Sequence, residues 1–356
     1  MTPLRVISAE HDRFAKEVLV AAGADDGEAA VVSGALLWAG LRGLHLWALD
    51  RLPILALRLR RGLIRSPARM TWEAFAPAAH RLDADNGFGQ LAGSVAMDRA
   101  IRTARTEGIG FVVVRRSNHY GAAGYYGARA AEAGLLGITG TNAFPKVAPH
   151  GGTKPVLGTN PIAFACPTRG GGPILVDFST AALSGGAVRD ARKKGEPLPA
   201  GCALDAAGMP TQDPAAAELG GMLPAAGPKG FGLGIVVEIL SGLLSGGAFG
   251  HEVGSLFHTW DRPADVGHFF LAIEIERFMP ADEFLTRVDR LLTWIAASPA
   301  QDVSSPVRVP GARRQEYLMA YASQGIPIED EIRRSLDELA RDLGVAPLRG
   351  ESDIAG

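Results

Sequence analysis

Apolar residues recur through the first 65 positions at the three- and four-residue spacing of amphipathic helices. Ser8 stands where it would cap a helix running through Phe14, Val18 and Leu19 to Gly23. Asp25 with Glu28 forms a capping-box pattern for a second helix ending near Gly43. A third begins with Pro53 in its first turn, carries Leu52, Leu55 and Leu59, and stops at Gly62. From about Leu82 to Ile275 the texture changes to short apolar runs punctuated by glycine. Val112–Val114, Leu135–Ile138, Ile162–Cys166 and Ile174–Asp177 read as strands, the last two joined by a turn at Arg169-Gly170-Gly171-Gly172. Gly121, Gly124 and Gly127 open an alanine-rich helix that runs to Gly134. The turn-rich segment 187–228 reads as loops over the sheet, Phe269–Ile275 as another strand, Phe284–Ile295 as an amphipathic helix, and Pro306–Gly311 as an extended linker. The tail sets Ile328, Ile332, Leu336, Leu339 and Leu343 at helical spacing and is expected to pack on the N-terminal helices.

One stretch, Phe231–Phe249, is apolar on all sides and reads either as a membrane span or as a buried helix. Glu238 near its middle favours the buried helix, because an unpaired carboxylate at mid-bilayer is costly. The 356-residue length calls for more than one domain: a helical one from 1–75 completed by 310–356, and an α/β one over 76–309. A net charge of -2 gives no electrostatic case for nucleic acid or an anionic membrane. The two cysteines, Cys166 and Cys202, make neither a disulfide framework nor a metal-spaced pair. With no secretory-type leader in view, the cytoplasm is expected.

Candidate chemistry gathers between Ser117 and Thr180, where polar groups follow the ends of the short strands. These are Ser117-Asn118-His119-Tyr120-Gly121, Thr141-Asn142, Leu157-Gly158-Thr159-Asn160-Pro161 and Asp177-Phe178-Ser179-Thr180. The strand–glycine–helix run at 110–134 is spaced G-x-x-G-x-x-G, and the next strand ends in Thr141-Asn142 rather than an acid. A standard dinucleotide-binding fold is therefore not expected. His119 is either a general acid near neutral pH or a loop histidine bonded internally. Read singly, Thr159-Asn160-Pro161 is also a turn, Asp177 a helix cap, Lys229 a solvated cation, and His268 a core or surface histidine.

Taken in order, these segments resemble a known family. The matching residues are Leu41-Arg42-Gly43, Arg51-Leu52-Pro53, Ser117 to Gly121, Asn142, Gly151-Gly152, Leu157 to Pro161 and Asp177 to Thr180. They continue through Asp205 with Gly208, Thr211 with Asp213-Pro214, Gly227 to Gly232, Gly267 to Phe270, and Val309-Pro310-Gly311. The chain resembles the malate/L-lactate dehydrogenase-like oxidoreductases, which include dehydrogenases of ureidoglycolate and sulfolactate and reductases of diketogulonate and piperideine-2-carboxylate. The resemblance implies an α/β (α+β), non-Rossmann NAD(P)-binding fold with a large mixed or antiparallel sheet, and a helical domain formed from both termini. It implies a homodimer, NADP or NAD as cofactor, and hydride transfer to a 2-oxo acid or cyclic 2-imino carboxylic acid. It further implies that His119, Tyr120, Gly121, Ala122 and Ala123, with Asn142, Asp177, Phe178, Ser179, Lys229, Gly267, His268 and Phe269, contact the cofactor. Arg51 would hold the substrate carboxylate, helped by Thr159.

The match breaks ahead of Arg51, where the family usually reads Asp-Ser-His-Gly. The corresponding residues are His45, Leu46, Trp47 and Ala48. His119, or His45 from a displaced turn, is then the remaining acid, and Leu46 with Trp47 predicts a bulkier or less polar substrate. Gly186-Ala187 likewise replaces a common Gly-Lys. The competing reading is a cofactor-binding homologue without turnover, since losing a general acid costs about 10²–10⁴ in rate.

Overall fold

The computed structural model describes residues 4–170, 172–302 and 306–350. Gly171, in the turn expected at 169–172, lies outside them. A short strand, β1 (Leu4–Val6), precedes α1 (Ser8–Ala21) and α2 (Asp26–Leu41). Two 3₁₀ turns, His45–Trp47 and Leu49–Arg51, lead into α3 (Leu52–Arg60). Ser8 does not cap α1; it is the first helical residue, with Ile7 at the cap position. Asp25 caps α2 by accepting from the Gly27 and Glu28 amides. Glu28 does not close the box, because its carboxylate is turned to Ser66 Oγ and the Ala68 amide.

The sheet starts with β2 (Thr71–Ala76) and β3 (Ala79–Asp83), followed by α4 (Gly89–Glu107), β4 (Ile109–Ser117), α5 (Ala123–Glu132) and β5 (Leu136–Thr141). Next come β6 (Ile162–Cys166) and β7 (Ile174–Phe178). The segment expected to be loops has structure of its own. It holds α6 (Gly185–Lys194), the strand pair β8 (Ala203–Leu204) and β9 (Pro210–Thr211), α7 (Pro214–Leu219) and β10 (Gly221–Met222). Its three two-residue strands are too short for periodicity to reveal, and they pair as β10-β8-β9 around a small core with Val188 and Leu198. Then α8 (Pro228–Glu238) runs on into a π-helical turn at Ile239–Leu243, ahead of β11 (Val266–Ile273) and α9 (Ala281–Ala296). The chain finishes with α10 (Ala312–Gln324), β12 (Ile326–Ile328) and α11 (Asp330–Leu343).

Seven strands form one sheet in the order β2-β3-β4-β11-β5-β6-β7. Only β3 and β4 run parallel; every other neighbour pair in that sheet is antiparallel. This is a mixed sheet outside the doubly wound parallel type. Because β11 enters between β4 and β5 antiparallel to both, its start lies beside their ends. The start of β6 and the end of β7 share that edge. Residues 117–121, 141–142, 159–160 and 177–180 therefore emerge together.

Phe14, Leu36, Leu49 and Leu55 share one buried cluster with Ile326, Ile328 and Leu336, so the tail does return to the N-terminal helices, with β12 pairing β1. A second cluster lies under α4 and α5 against β4 and β11. Among the described residues no helix is long and apolar enough to cross a membrane. Yet α8 is not buried throughout. Glu238, Gly234 and Val237 face inward, whereas Val236, Ile239, Leu243 and Leu244 remain 45–52% exposed.

Candidate active site

A cavity of about 920 Å³ opens along this sheet edge, walled on its far side by the 3₁₀ turns, α6 and the start of α11. His119, Tyr120, Gly121 and Ala123 line it from the β4–α5 connection. Asn142 and Thr159 come from the β5–β6 connection, and Asp177, Phe178 and Ser179 from the end of β7. His45, Leu46 and Trp47 form part of the opposite wall.

The sheet-edge wall is braced from behind. Buried Glu238 accepts from Asn160 Nδ2 at 2.6 Å, from the Gly250 amide at 2.8 Å and from Asn142 Nδ2 at 3.4 Å. Asn142 also accepts from the Gly267 amide and donates to the Ala248 carbonyl. The amide of Asn142 is thus spent on the scaffold, although the residue borders the cavity. His268 is fully buried and stacks on Tyr120 at 4.5 Å with the rings 4° from parallel. Thr141 Oγ1 lies within 3.0 Å of two carbonyls, so its proton goes to one of them. It must then accept from His268 Nδ1 at 2.8 Å, leaving Nε2 to accept from Ser117 Oγ at 2.9 Å. Both ring nitrogens are used, and burial lowers the imidazole pKa to about 3.

Five residues that the family resemblance assigns to the cofactor lie off the cavity lining. The side chains of His268 and Phe269 do not reach the cavity; Phe269 packs with Val113 and Val237 beneath α8. Gly267 meets the 241–242 backbone, where a Cβ would lie 2.1 Å from the Ser241 carbonyl oxygen. Lys229 is exposed in the first turn of α8 and does not line the cavity, and Ala122 is buried and does not line it either, although its sequence neighbours His119–Gly121 and Ala123 do. Asp177 does more than end a strand: its Oδ2 accepts from the Gly124 amide at 2.8 Å, and desolvation in the cleft raises its pKa.

Among the described residues, His119 differs from His268 in that only one of its ring nitrogens has a hydrogen-bond partner. Nδ1 accepts from the Gly121 amide at 3.2 Å, so a neutral ring carries its proton on Nε2. Gly89 makes this loop possible, since any Cβ there would strike the Asn118 carbonyl oxygen at 2.2 Å. Burial, then Arg51, then His268 lower the His119 pKa to about 3. The free ring is neutral at pH 7. Trp47 sits edge-on to it, with ring centroids 5.8 Å apart.

Arg51 is 5% exposed and lies behind Trp47, with its guanidinium carbon 5.0 Å from the indole centroid. Nε donates to the Leu46 carbonyl, and no partner is recorded for the two terminal nitrogens among the described residues. Burial, followed by repulsion from Arg189 and offset by Asp50, brings its pKa down to about 10. The route through Trp47 bounds the guanidinium–imidazole separation at about 11 Å within one chain. Leu46 points to α6, where a Cβ on Gly186 would lie 2.1 Å from Leu46 Cδ1. The two departures from the family pattern noted in the sequence, at 46–47 and 186–187, are therefore in contact. His45 lies toward α10, its ring 6.0 Å from Tyr321, with its pKa lowered by burial.

Sequence reasoning missed Asp50, Arg189 and Phe257. Asp50 lines the cavity, and burial lifts its carboxyl to about 6. Arg189 lines it from α6, the segment read as loop. Phe257 sits in a turn whose Ser255, Leu256 and Thr259 carbonyls all accept from buried Arg58. No spacing in the chain announces that long-range clamp.

Comparison with known proteins accounts for this arrangement. The malate/L-lactate dehydrogenase family model matches residues 6–337. A malate dehydrogenase of Pyrococcus abyssi is 38% identical over 353 residues, covering 97% of this chain and 96% of the relative. A (2R)-3-sulfolactate dehydrogenase (NADP(+)) of Chromohalobacter salexigens is 38% identical over 305 residues, covering 86% and 89%. The crystal structure of delta1-piperideine-2-carboxylate reductase from Pseudomonas syringae superimposes with a TM-score of 0.86 at 31% identity, covering 94% of this chain and 99% of that one. The chain belongs to the malate/L-lactate dehydrogenase family and is an NAD(P)-dependent dehydrogenase or reductase.

Proposed function

We propose that the protein reduces a 2-oxo acid or a cyclic 2-imino carboxylic acid, with a substituent bulkier or less polar than those of lactate and malate. One observation carries this reading: a buried guanidinium with open terminal nitrogens shares an indole with an imidazole whose Nε2–H is also open. A guanidinium holds a carboxylate bidentately, and an adjacent N–H donor reaches the neighbouring carbonyl or imine. The cavity lies at the upper end of the roughly 300–1,000 Å³ of ligand sites and fits a dinucleotide with a small acid. Gly121, Ala123, Asp177 and Ser179 on the sheet edge would hold NAD or NADP, which supplies the hydride when bound.

His119 orients the substrate through Nε2 in its neutral form. Burial is the main cause of the low His119 pKa and Arg51 the second; a carboxylate placed on Arg51 would offset that second part, so the imidazole gains some proton affinity as the acid binds. The neutral ring's Nε2–H would polarise the carbonyl oxygen or imine nitrogen; it would deliver that proton only after the ring takes up a second one at Nδ1, which requires the Gly121 amide to release that nitrogen. Trp47 and Leu46 supply the apolar wall. Nothing in the site favours loss of turnover, because the donor and the anchor are both present.

The exposed apolar residues of α8, with Lys229 at its start, support a homodimer formed through that helix, which would bring the cation to the partner's cleft. Light scattering on the purified protein tests this; a monomer at micromolar concentration contradicts it. The two unpaired cysteines support a cytoplasmic location. The catalytic reading is tested by mixing the protein with NADH or NADPH and a panel of 2-oxo and cyclic imino acids. Cofactor oxidation dependent on the acid is expected; cofactor binding without oxidation across the panel would favour a homologue without turnover.

A further inference from the structure

The hydrogen bond that occupies His119 Nδ1 comes from a peptide that is free to turn over. A trans peptide points its N–H and its C=O in opposite directions. In the unit joining Tyr120 to Gly121, the N–H meets His119 Nδ1 at 3.2 Å and the C=O accepts from Tyr126 Oη at 2.5 Å. Gly121 sits at φ +83°, and half a turn of that peptide carries it to negative φ. Glycine populates both signs, and Tyr120, which has no positive φ, has both ψ wells open. The rotation exchanges the two groups. The Tyr120 carbonyl then faces Nδ1, where it accepts from a protonated ring, and the Gly121 N–H faces Tyr126 Oη.

Tyr126 Oη would then accept where it now donates, and its own proton needs a new acceptor. The helix α4 offers one. Gln90 is fully buried, and neither end of its side-chain amide has a partner among the described residues. Its Cγ and Nε2 lie 3.9 Å from where a Cβ on Gly121 would stand. Gly93 is three residues further along and so beside Gln90 on the helix surface; a Cβ there would lie 3.0 Å from Tyr126 Oη. An unpartnered buried amide costs the resting fold stability, and the turned peptide gives this one a partner. We propose that Gln90 is a positioning residue for the reaction: its amide oxygen accepts from Tyr126 when the Tyr120–Gly121 peptide turns over, which frees His119 Nδ1 to take a proton from water. The ring passes its Nε2 proton to the oxygen or nitrogen as the neighbouring carbon receives the hydride, and is left neutral with a proton on Nδ1. Loss of that proton and uptake of one at Nε2 accompany the return of the peptide. The charged and titratable groups acting on the ring are Arg51, from the 3₁₀ turn, and His268, from β11. This rests on the reading of His119 as proton source and supplies the release that reading requires.

Two measurements test this, one of them without turnover. Alanine resists the positive φ of Gly121, so Gly121→Ala favours the turned peptide. In the free protein near pH 7, nitrogen-15 NMR of histidine-labelled protein should show the neutral His119 ring moving from the Nε2–H toward the Nδ1–H tautomer. The His119→Gln variant identifies the signal. An unchanged tautomer in folded Gly121→Ala would overturn the proposal. Gln90→Met keeps the side-chain volume and removes an amide that has no partner in the resting fold. It should lower kcat about 10-fold, the worth of one hydrogen bond, change KM for the acid by less than about 2-fold, and leave the thermal midpoint unchanged or raised. Unaltered kcat would overturn the proposal, and so would a lowered midpoint, which would mean that the amide is already engaged. Ser94 Oγ, four residues on, is also buried without a partner; a loss of kcat in Ser94→Ala with none in Gln90→Met would give the role to Ser94 and overturn it likewise. Failure of the reductase reading would show instead as unoxidised NAD(P)H, and would leave the tautomer measurement standing.

Discussion

The two walls of the cavity are built on opposite terms. Along the sheet edge, two polar side chains are buried and satisfied: Glu238 accepts from two asparagines and a backbone amide, and His268 uses both nitrogens. Across the cleft, Arg189 lines the cavity and Arg51 lies behind the Trp47 wall, both against aromatic rings and neither in an ion pair among the described residues. A satisfied buried group holds a scaffold in one geometry, whereas an unsatisfied charge facing a cavity leaves interaction energy for a ligand. His119 belongs to both walls in this sense, with Nδ1 committed to the Gly121 amide and Nε2 free.

The sharpest way to break this contrast is to remove a group from each side. His119→Ala should lower kcat by about 10²–10⁴, the usual contribution of a positioned acid. Unchanged turnover would move the proton source to His45, Asp50 or water. Arg51→Ala should raise KM for the acid by about 30-fold or more, the cost of leaving a buried carboxylate without its cation, with a smaller effect on kcat. An unchanged KM would refute the anchor. Glu238→Ala should spare the chemistry but take the acceptor from the Gly250 amide and leave Asn142 and Asn160 with only the Ala248 and Gly234 carbonyls, costing about 2–5 kcal/mol of stability. Thermal unfolding at fixed protein concentration measures it, and an unaltered midpoint would show that this wall is not held as described.

A smaller effect concerns acid. Burial brings His11, His119 and His268 each to a pKa of about 3 in the folded state. Unfolded histidines titrate near 6.5, so between about 6.5 and 3 the unfolded chain binds more protons. Stability should be level above about pH 7 and fall as pH drops through that window. Glu10, whose pKa is lowered to about 2 by Arg13 and Arg349 against its desolvation, adds a further loss below the ordinary glutamate range. A midpoint that holds steady or rises between pH 7 and 4 would contradict the buried, neutral assignment.

Much of the sheet-edge wall was legible in the chain. Short strands followed by Ser117–Gly121, Thr141-Asn142 and Asp177–Thr180 announced polar groups at strand ends, and the antiparallel entry of β11 brings those ends together. What the pattern could not assign was role. The resemblance assigns Asn142 and His268 to the cofactor, and only their long-range partners, Glu238 and Ser117, show that both also brace the scaffold. The far wall was legible only at Arg51 and its neighbours. Arg189 sits on a ten-residue helix among short strands, and Phe257 owes its position to Arg58, nearly 200 residues earlier. The apolar run at 231–249 suggested burial on all sides; in a single chain, its outer face is open, because hydropathy does not say whether the covering surface belongs to the same chain.

The most direct measurement is a crystal structure with NADH or NADPH and oxamate, a 2-oxo acid mimic that is not reduced. The account predicts the oxamate carboxylate on the Arg51 guanidinium and its carbonyl oxygen within hydrogen-bond reach of His119 Nε2. An acid bound elsewhere in the cavity, with Arg51 and His119 on neither of its ends, would contradict it.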